Sequence, residues 1–440
     1  MCSLGVDQML AWGVLLVVLV LIASGRFRME LAALGGLLAL GIAGVAPIQV
    51  VFSGFGNPAL ATIIAVFLVS QGIINSGVMR GLGQSLARRL HGLRGQVLSL
   101  AATGAVLSAF MNNVGAVGLM LPTATRMAER FGCRPGSFGL PLAMASLLGG
   151  TLTLIGSAPN IIIASYMHSS TGQSFKMFDY APHGLAMLMV ALLVWLICKS
   201  CGMDPGAAGS GYAEPAAGNG KPAKELPGPE QNHSATDEKI SFAPLATRAR
   251  RITIIAILAA VLAVSFGLLH PALGFGGAVL VLIITGVLKL PAAYESVDLK
   301  IVFFLGSMLG IGGILEHTGA LKHLSSLLDH FAAGFSSFWL LLLLVFVSSA
   351  LSNAINNAAS AVFMAPLAVS MAASNNLETG AALMAVAAGS NMTLLLPTHQ
   401  AVLMVMSKAP FATPSFLKAG LVLTLCCGLA ATAVIALVWQ

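Results

Sequence analysis

The residues in this chain best placed to do chemistry are amides and hydroxyls, and they occur twice. Ser108, Asn112, Asn113 and Pro122 recur as Ser352, Asn356, Asn357 and Pro366, each shifted by 244 positions, in the texts LSAFMNNVGAVGLMLP and LSNAINNAASAVFMAP. Gly77 and Gly319 stand at nearly the same shift. An Asn side chain carries a carbonyl acceptor and amide donors, so one pair can coordinate a small cation and donate to an anion. Beside these pairs lie two Gly/Thr-rich stretches, GGTLTLIGSAPN at 149–160 and GSNMTLLLPTHQ at 389–400. No Asp, Glu, Lys or Arg occurs at 95–125, 135–175, 331–377 or 379–407. A chain that moves protons usually keeps a membrane-buried carboxylate, and none is present in these segments. The spans also lack the Ser/His, Asp/Asp or HExxH arrangements that an intramembrane enzyme would need.

The elements that position these residues are apolar runs. Apolar residues make up 57% of the 440 and charged residues 8%, against about 25% charged in ordinary globular domains. With a mean hydropathy of +0.92, lipid must be the solvent for much of the surface. The net charge of +7 sits in the gaps between apolar runs, which marks a membrane-surface face and not a nucleic-acid partner. Six cysteines form no framework, and the lone CxxC (Cys198, Cys201) has no second pair for zinc. Candidate spans are 9–25, 31–46, 58–78, 138–167 and 183–198, then 252–269, 272–288, 301–315, 380–406 and 416–438. Two further apolar stretches, 97–125 and 338–373, are interrupted by the Asn pairs. Residues 201–250 are rich in Gly, Pro, Ala and Ser without apolar periodicity, as a flexible linker is. The expected organisation is a first transmembrane repeat at 1–200, the linker at 201–250 on the cytoplasmic side, and a second repeat at 251–440.

Charge sets the orientation. Arg80, Arg88, Arg89 and Arg94 precede the first interrupted stretch, and Arg126, Arg130 and Arg134 follow it. The matching segments of the second half hold only Lys322, with Glu316 and Asp329, and no basic residue at 371–379. The positive-inside rule places the first set in the cytoplasm and the second outside. The stretch 97–125 then enters and leaves on one side as a re-entrant hairpin, and 338–373 is its mirror from the other side. The expected fold is all-α and polytopic: two inverted repeats of five transmembrane helices, each with a re-entrant hairpin and a broken helix. Gly156, Pro159 and Pro397 are expected to interrupt their helices in mid-membrane, where unwound backbone is tolerated only inside protein or along a cavity. His399 is placed at the second break, whereas His168, His183, His270, His317 and His330 are placed at the membrane interfaces.

In these motifs the chain resembles the divalent-anion:sodium symporter family, within the larger ion-transporter superfamily. The likeness spans nearly the whole chain and is strongest at the two Asn texts, at GGTLTLIGSAPN and at LLLPTHQ. The resemblance implies that a Ser-Asn-Thr triplet at each hairpin tip binds sodium and substrate. The triplets here are Asn112-Asn113-Val114 and Asn356-Asn357-Ala358: the central Asn is kept twice and the flanking hydroxyls are replaced. It also implies a homodimer whose substrate-bearing part moves like an elevator.

The function expected is a sodium-coupled symporter of the inner or plasma membrane for a small divalent anion, a dicarboxylate or sulfate. The anion is expected to bridge Asn113 and Asn357, with Asn112, Asn356, Thr153 and Thr393 as further contacts. Sodium, the coupling ion, is expected at Ser108, Asn113 and Gly156 and at Ser352, Asn357 and Ser390. The principal alternative is an antiporter or oxyanion exporter on the same architecture; a passive channel would not need broken helices in inverted repeats.

Overall fold

The computed structural model describes residues 5–24, 26–77, 92–133, 135–197, 245–320, 335–408 and 413–440. Most of the 201–250 segment, and His330, lie outside them. Among the described residues the chain is helical, without strands. The first half gives α1 (Val6–Ala23), α2 (Met29–Ile42), α3 (Ile48–Val51), α4 (Pro58–Ser76), α5 (Leu93–Phe110), α6 (Asn113–Arg130), α7 (Gly136–Gly149), α8 (Ala158–Thr171) and α9 (Ala181–Ile197). The second gives α10 (Leu245–Ser265), α11 (Pro271–Ile284), α12 (Leu290–Ser296), α13 (Leu299–His317), α14 (Ser337–Ala354), α15 (Asn357–Ser374), α16 (Thr379–Asn391), α17 (Gln400–Lys408) and α18 (Thr413–Trp439). Element by element the two halves run in the same order. Six described helices, α4, α5, α13, α14, α15 and most of α18, are long and apolar enough to cross a membrane.

Local chemistry explains where the helices start and stop. Asn57 caps α4 by accepting from the Ala59 N–H at 2.8 Å, and Asp298 caps α13 by accepting from the Lys300 N–H at 3.0 Å. Both helices end at a glycine with positive φ, Gly77 at 67° and Gly319 at 69°. Only glycine takes that left-handed conformation without a Cβ penalty, which is why this pair stands out in the sequence. Pro122 and Pro366 lie inside α6 and α15.

Contacts between the halves come in reciprocal pairs. The helix α4 packs on α11 and α13 packs on α2; α6 packs on α17 and α15 on α8; α7 packs on α17 and α16 on α8; α9 packs on α18. Each contact has its mate with the halves exchanged, the pattern a two-fold relation produces. The helices also sort into two groups. The hairpin arms α5, α6, α14 and α15 pack with α7–α9 and α16–α18, while α1–α4 pack with α10–α13; α4 against α8 and α13 against α15 are the principal links between the groups.

Two glycines allow close helix contacts in the first of these groups. A methyl on Gly149 would lie 2.3 Å from the Ala105 carbonyl oxygen, and one on Gly389 would lie 2.2 Å from that of Val345. Each lets a helix that leads into a break rest directly on the backbone of the hairpin arm beside it.

Candidate functional site

Both hairpins turn at their Asn pairs. The Asn112 side chain accepts from the Val114 N–H at 3.3 Å, and Asn356 accepts from Ala358 at 2.8 Å and Ala359 at 3.4 Å. The first Asn of each pair is therefore an N-cap, satisfying amides at the start of α6 and α15. The second begins the helix and is buried, Asn113 at 3% and Asn357 at 8% exposure.

Each tip is tied to the broken helix of its own half. Asn113 Oδ1 accepts from the Ser108 hydroxyl at 2.6 Å, and the Thr153 hydroxyl donates to the Ala109 carbonyl. In the second half Asn357 Oδ1 accepts from Thr393 Oγ1 at 2.8 Å, and Ser352 Oγ lies 2.8 Å from Thr393 Oγ1 while donating to the Ser390 carbonyl at 2.6 Å. In both halves the Asn carbonyl oxygen is thus held by a hydroxyl, which leaves its amide N–H groups as the free end.

The two breaks are the non-helical segments 150–157 and 392–399. Asn160 holds the first, donating from Nδ2 to the Gly150 and Thr153 carbonyls at 3.2 and 2.8 Å. Asn353 holds the second, donating to the Ser349 and Met392 carbonyls at 2.8 and 3.0 Å and accepting from the Leu395 and Leu396 N–H groups at 2.9 and 3.0 Å. Asn391 Nδ2 then donates to Asn160 Oδ1 at 2.8 Å, joining the halves through their broken helices. Neither Asn353, Asn160 nor Asn391 is singled out by the repeat. The 244-residue register pairs Asn353 with Ala109, so an argument from duplication passes over it; its only signal is an Asn inside LSNAINN.

Between the two tips lies a cavity of about 250 Å³. Asn112, Asn113, Asn356 and Asn357 all line it, together with residues of both breaks and apolar side chains of α4 and α13. None of its lining residues is Asp, Glu, Lys or Arg, and its one titratable side chain is His399. The helices α6, α8, α15 and α17 all begin at this cavity. A helix N-terminus carries a partial positive charge and unpaired N–H groups, so the arrangement has the chemistry to receive an anion without a cationic side chain. Thr153, Thr393, Ser108, Ser352 and Ser390 do not line the cavity; they stand behind the tips and fix them.

The backbone at the first tip also forms an oxygen cradle. A methyl on Gly150 would fall 2.6 Å from Asn113 Oδ1 and 3.1 Å from the Gly156 carbonyl oxygen; one on Gly156 would fall 2.6 Å from the Gly150 carbonyl oxygen and 3.0 Å from that of Ser108. Asn113 Oδ1 and the Gly156 carbonyl therefore crowd Gly150, and the Gly150 and Ser108 carbonyls crowd Gly156, so oxygens of the kind sodium takes line both positions beside the unwound helix where only glycine leaves room. In the second half Asn357 Oδ1, Ser352 Oγ, Thr393 Oγ1 and the Ser390 carbonyl make the comparable cluster.

His183 stands in the first turn of α9. It is 1% exposed, and neither ring nitrogen makes a hydrogen bond among the described residues. The helix α9 is packed between α18, α7 and α5, so this histidine is enclosed by protein.

Facing hairpins and broken helices around an uncharged cavity, in an all-helical and strongly apolar chain, define a polytopic membrane transporter. The family model of the citrate transporters (CitMHS) matches residues 19–438, and the chain belongs to that family, in keeping with the resemblance carried by its motifs. Among relatives, the uncharacterized transporter YfbS of Escherichia coli is 32% identical over 186 residues, 42% of this chain and 30% of that one. The probable sodium/sulfate cotransporter 3 of Chlamydomonas reinhardtii is 30% identical over 154 residues, 33% of this chain and 17% of that one. These matches span less than a third of either relative. The crystal structure of the YdaH transporter of Alcanivorax borkumensis superposes with a TM-score of 0.60, covering 98% of this chain and 97% of that one at 13% identity, which establishes a common fold.

Proposed function

We propose that this chain is a sodium-coupled symporter of a small divalent anion, a dicarboxylate or sulfate. The observation that carries the reading is the cavity: four helix N-termini and the amides of two Asn pairs surround it, with no charged side chain. At about 250 Å³ it falls below the range of about 300–1,000 Å³ common for small-molecule sites, which fits an anion of a few heavy atoms.

Coupling follows from electrostatics. Taking an ion out of water costs several kcal/mol even after relaxation, and a dianion in an uncharged cavity would carry that cost alone. A sodium ion behind each tip, at Ser108, Asn113 and Gly156 and at Ser352, Asn357 and Ser390, makes the loaded site neutral. Each species then binds well only when the other is present, and the loaded site can move as a unit. The two packing groups supply the moving parts: the hairpins and broken helices carry the cavity against α1–α4 and α10–α13, in an elevator-like step. We assign the chain to the inner or plasma membrane as a homodimer, with the repeats at 1–200 and 251–440 inverted about a cytoplasmic linker at 201–250.

Uptake of labelled sulfate and succinate into proteoliposomes tests this. Accumulation of one of them under an inward sodium gradient at fixed pH is expected. Accumulation of neither, or accumulation indifferent to sodium, overturns the symport reading in favour of export.

The inverted orientation has its own test. Both tips line one cavity, and in the inverted arrangement the two hairpins reach it from opposite sides of the membrane. In a background otherwise free of cysteine, native Cys133 is expected to react with an impermeant maleimide only from the cytoplasmic side, and Ser374→Cys only from outside. Labelling of both from one side would show that the repeats are parallel.

A further inference from the structure

Of the four helix N-termini at the cavity, one is left open. Asn112 and Asn356 spend their carbonyl oxygens on the amides of α6 and α15, and His399 Nδ1 accepts from the Ala401 N–H of α17 at 3.1 Å. At α8 the N-cap residue is Ser157, and its side chain makes no capping bond. Serine in that position ordinarily accepts from the second or third amide of its helix; in α8 the second residue is Pro159, which has no N–H, and the third amide, that of Asn160, is not taken. Here the hydroxyl has no partner among the described residues, although Ser157 is only 8% exposed and lines the cavity. Such a group is costly to leave unpaired, and at the mouth of an uncapped helix it is the group an anion would satisfy.

We infer that the anion sits off the pseudo-two-fold, on the N-terminus of α8, with the Ser157 hydroxyl and the Ala158 N–H as its ligands and the Asn113 and Asn357 amides closing over it. The halves are therefore unequal in function: α8 holds the anion and α17, capped by its own histidine, helps to enclose it. The Ala158 N–H and the two Asn amides can only donate, and the Ser157 hydroxyl can donate as well, so the seat fits a small oxyanion such as sulfate or a carboxylate of succinate. The inference rests on the transport reading for the identity of the ligand but not for its position.

Ser157→Asp is the decisive variant. Aspartate is as good an N-cap as serine, so the fold is retained or stabilised, while its carboxylate occupies the seat. Uptake of sulfate and succinate is expected to vanish with the unfolding temperature unchanged or raised. Ser157→Ala should raise the anion KM about tenfold, as expected for removing one hydrogen bond to a charged group, and leave the sodium KM in place; Ser157→Thr should recover most of it. Wild-type anion KM in both Ser157→Asp and Ser157→Ala, or a shift confined to sodium, overturns the seat. Direct binding separates this from the symport reading: sodium sulfate or succinate, against sodium chloride at equal ionic strength, should raise the unfolding temperature of the wild type and not of Ser157→Asp. Equal shifts in both proteins, or none in either, sink the seat whatever the uptake result; a shift in the wild type alone, without uptake, upholds the seat and removes only the symport reading.

Discussion

Asn113→Ala and Asn357→Ala are each expected to reduce anion uptake to background while the protein remains folded. Each residue is asked to do two things with one side chain: its carbonyl oxygen, fixed by Ser108 or by Thr393, faces the sodium cluster, and its amide faces the cavity. Truncation removes both. A hydrogen bond to a charged group contributes about 1.5–3 kcal/mol, and each 1.4 kcal/mol is about tenfold in affinity. Removing two such interactions from one loaded site weakens it roughly a hundredfold to ten-thousandfold, below what uptake assays resolve. The fold should survive, because the Ser108 hydroxyl left behind can turn to a carbonyl of its own helix, as serine does readily.

Replacement by aspartate separates the two roles. Asn113→Asp keeps the oxygen that accepts from Ser108 but exchanges the amide donor for a second, charged acceptor. Sodium binding, read as sodium-dependent protection against thermal unfolding, should persist or strengthen, while anion uptake is lost. Retained uptake in Asn113→Asp would show that the amide does not touch the anion; retained uptake in both alanine variants would remove the tips from the site altogether.

How far the sequence could be read depended on whether a residue's partner lay nearby in its own repeat. The tips were legible because a polar pair in an apolar run, copied in register, has few structural alternatives, and because Gly77 and Gly319 mark the same left-handed helix end twice. The breaks were legible because Gly and Pro cannot sustain a helix through 150–157 and 392–399. What stayed hidden is what the fold brings together from afar. Asn160 and Asn391 meet across 231 positions, and nothing in either local text announces the other. Thr153 and Thr393 lie in the breaks, but their hydroxyls face the tips and not the cavity, since facing is decided by packing. The same holds for His183, whose burial depends on α18 closing over α9. Composition places a histidine near the end of a span; only the packed neighbour decides whether it meets water.

Asn353→Leu is expected to cost both stability and transport, although Asn353 touches neither cavity nor cradle. Its side chain is the staple of the second break: it satisfies two amides and one carbonyl of backbone that the break has released from helical bonding, and donates besides to the Ser349 carbonyl of its own helix. Ser349 supports one of the same carbonyls, donating to Met392 O at 2.9 Å, but the Leu395 and Leu396 amides have no other partner among the described residues. Leucine is close in volume and leaves little void, so the penalty is almost wholly that of two part-buried amides left unpaired. A fall of about 1–3 kcal/mol in unfolding free energy follows, enough to lower the thermal midpoint of the detergent-solubilised protein by several degrees. Where the protein is kept folded by working cold, uptake should still be impaired, because a slack break no longer holds Thr393 against Asn357. Asn353→Asp keeps the acceptor for both amides and loses only the two donations, so it should be the milder variant in both measurements. The order wild type, Asp, Leu in midpoint and in uptake is the signature of a backbone staple; a Leu variant as stable and active as wild type would show that the break holds its shape through the hairpin contacts of Ser349, Ser352 and Gly389 alone.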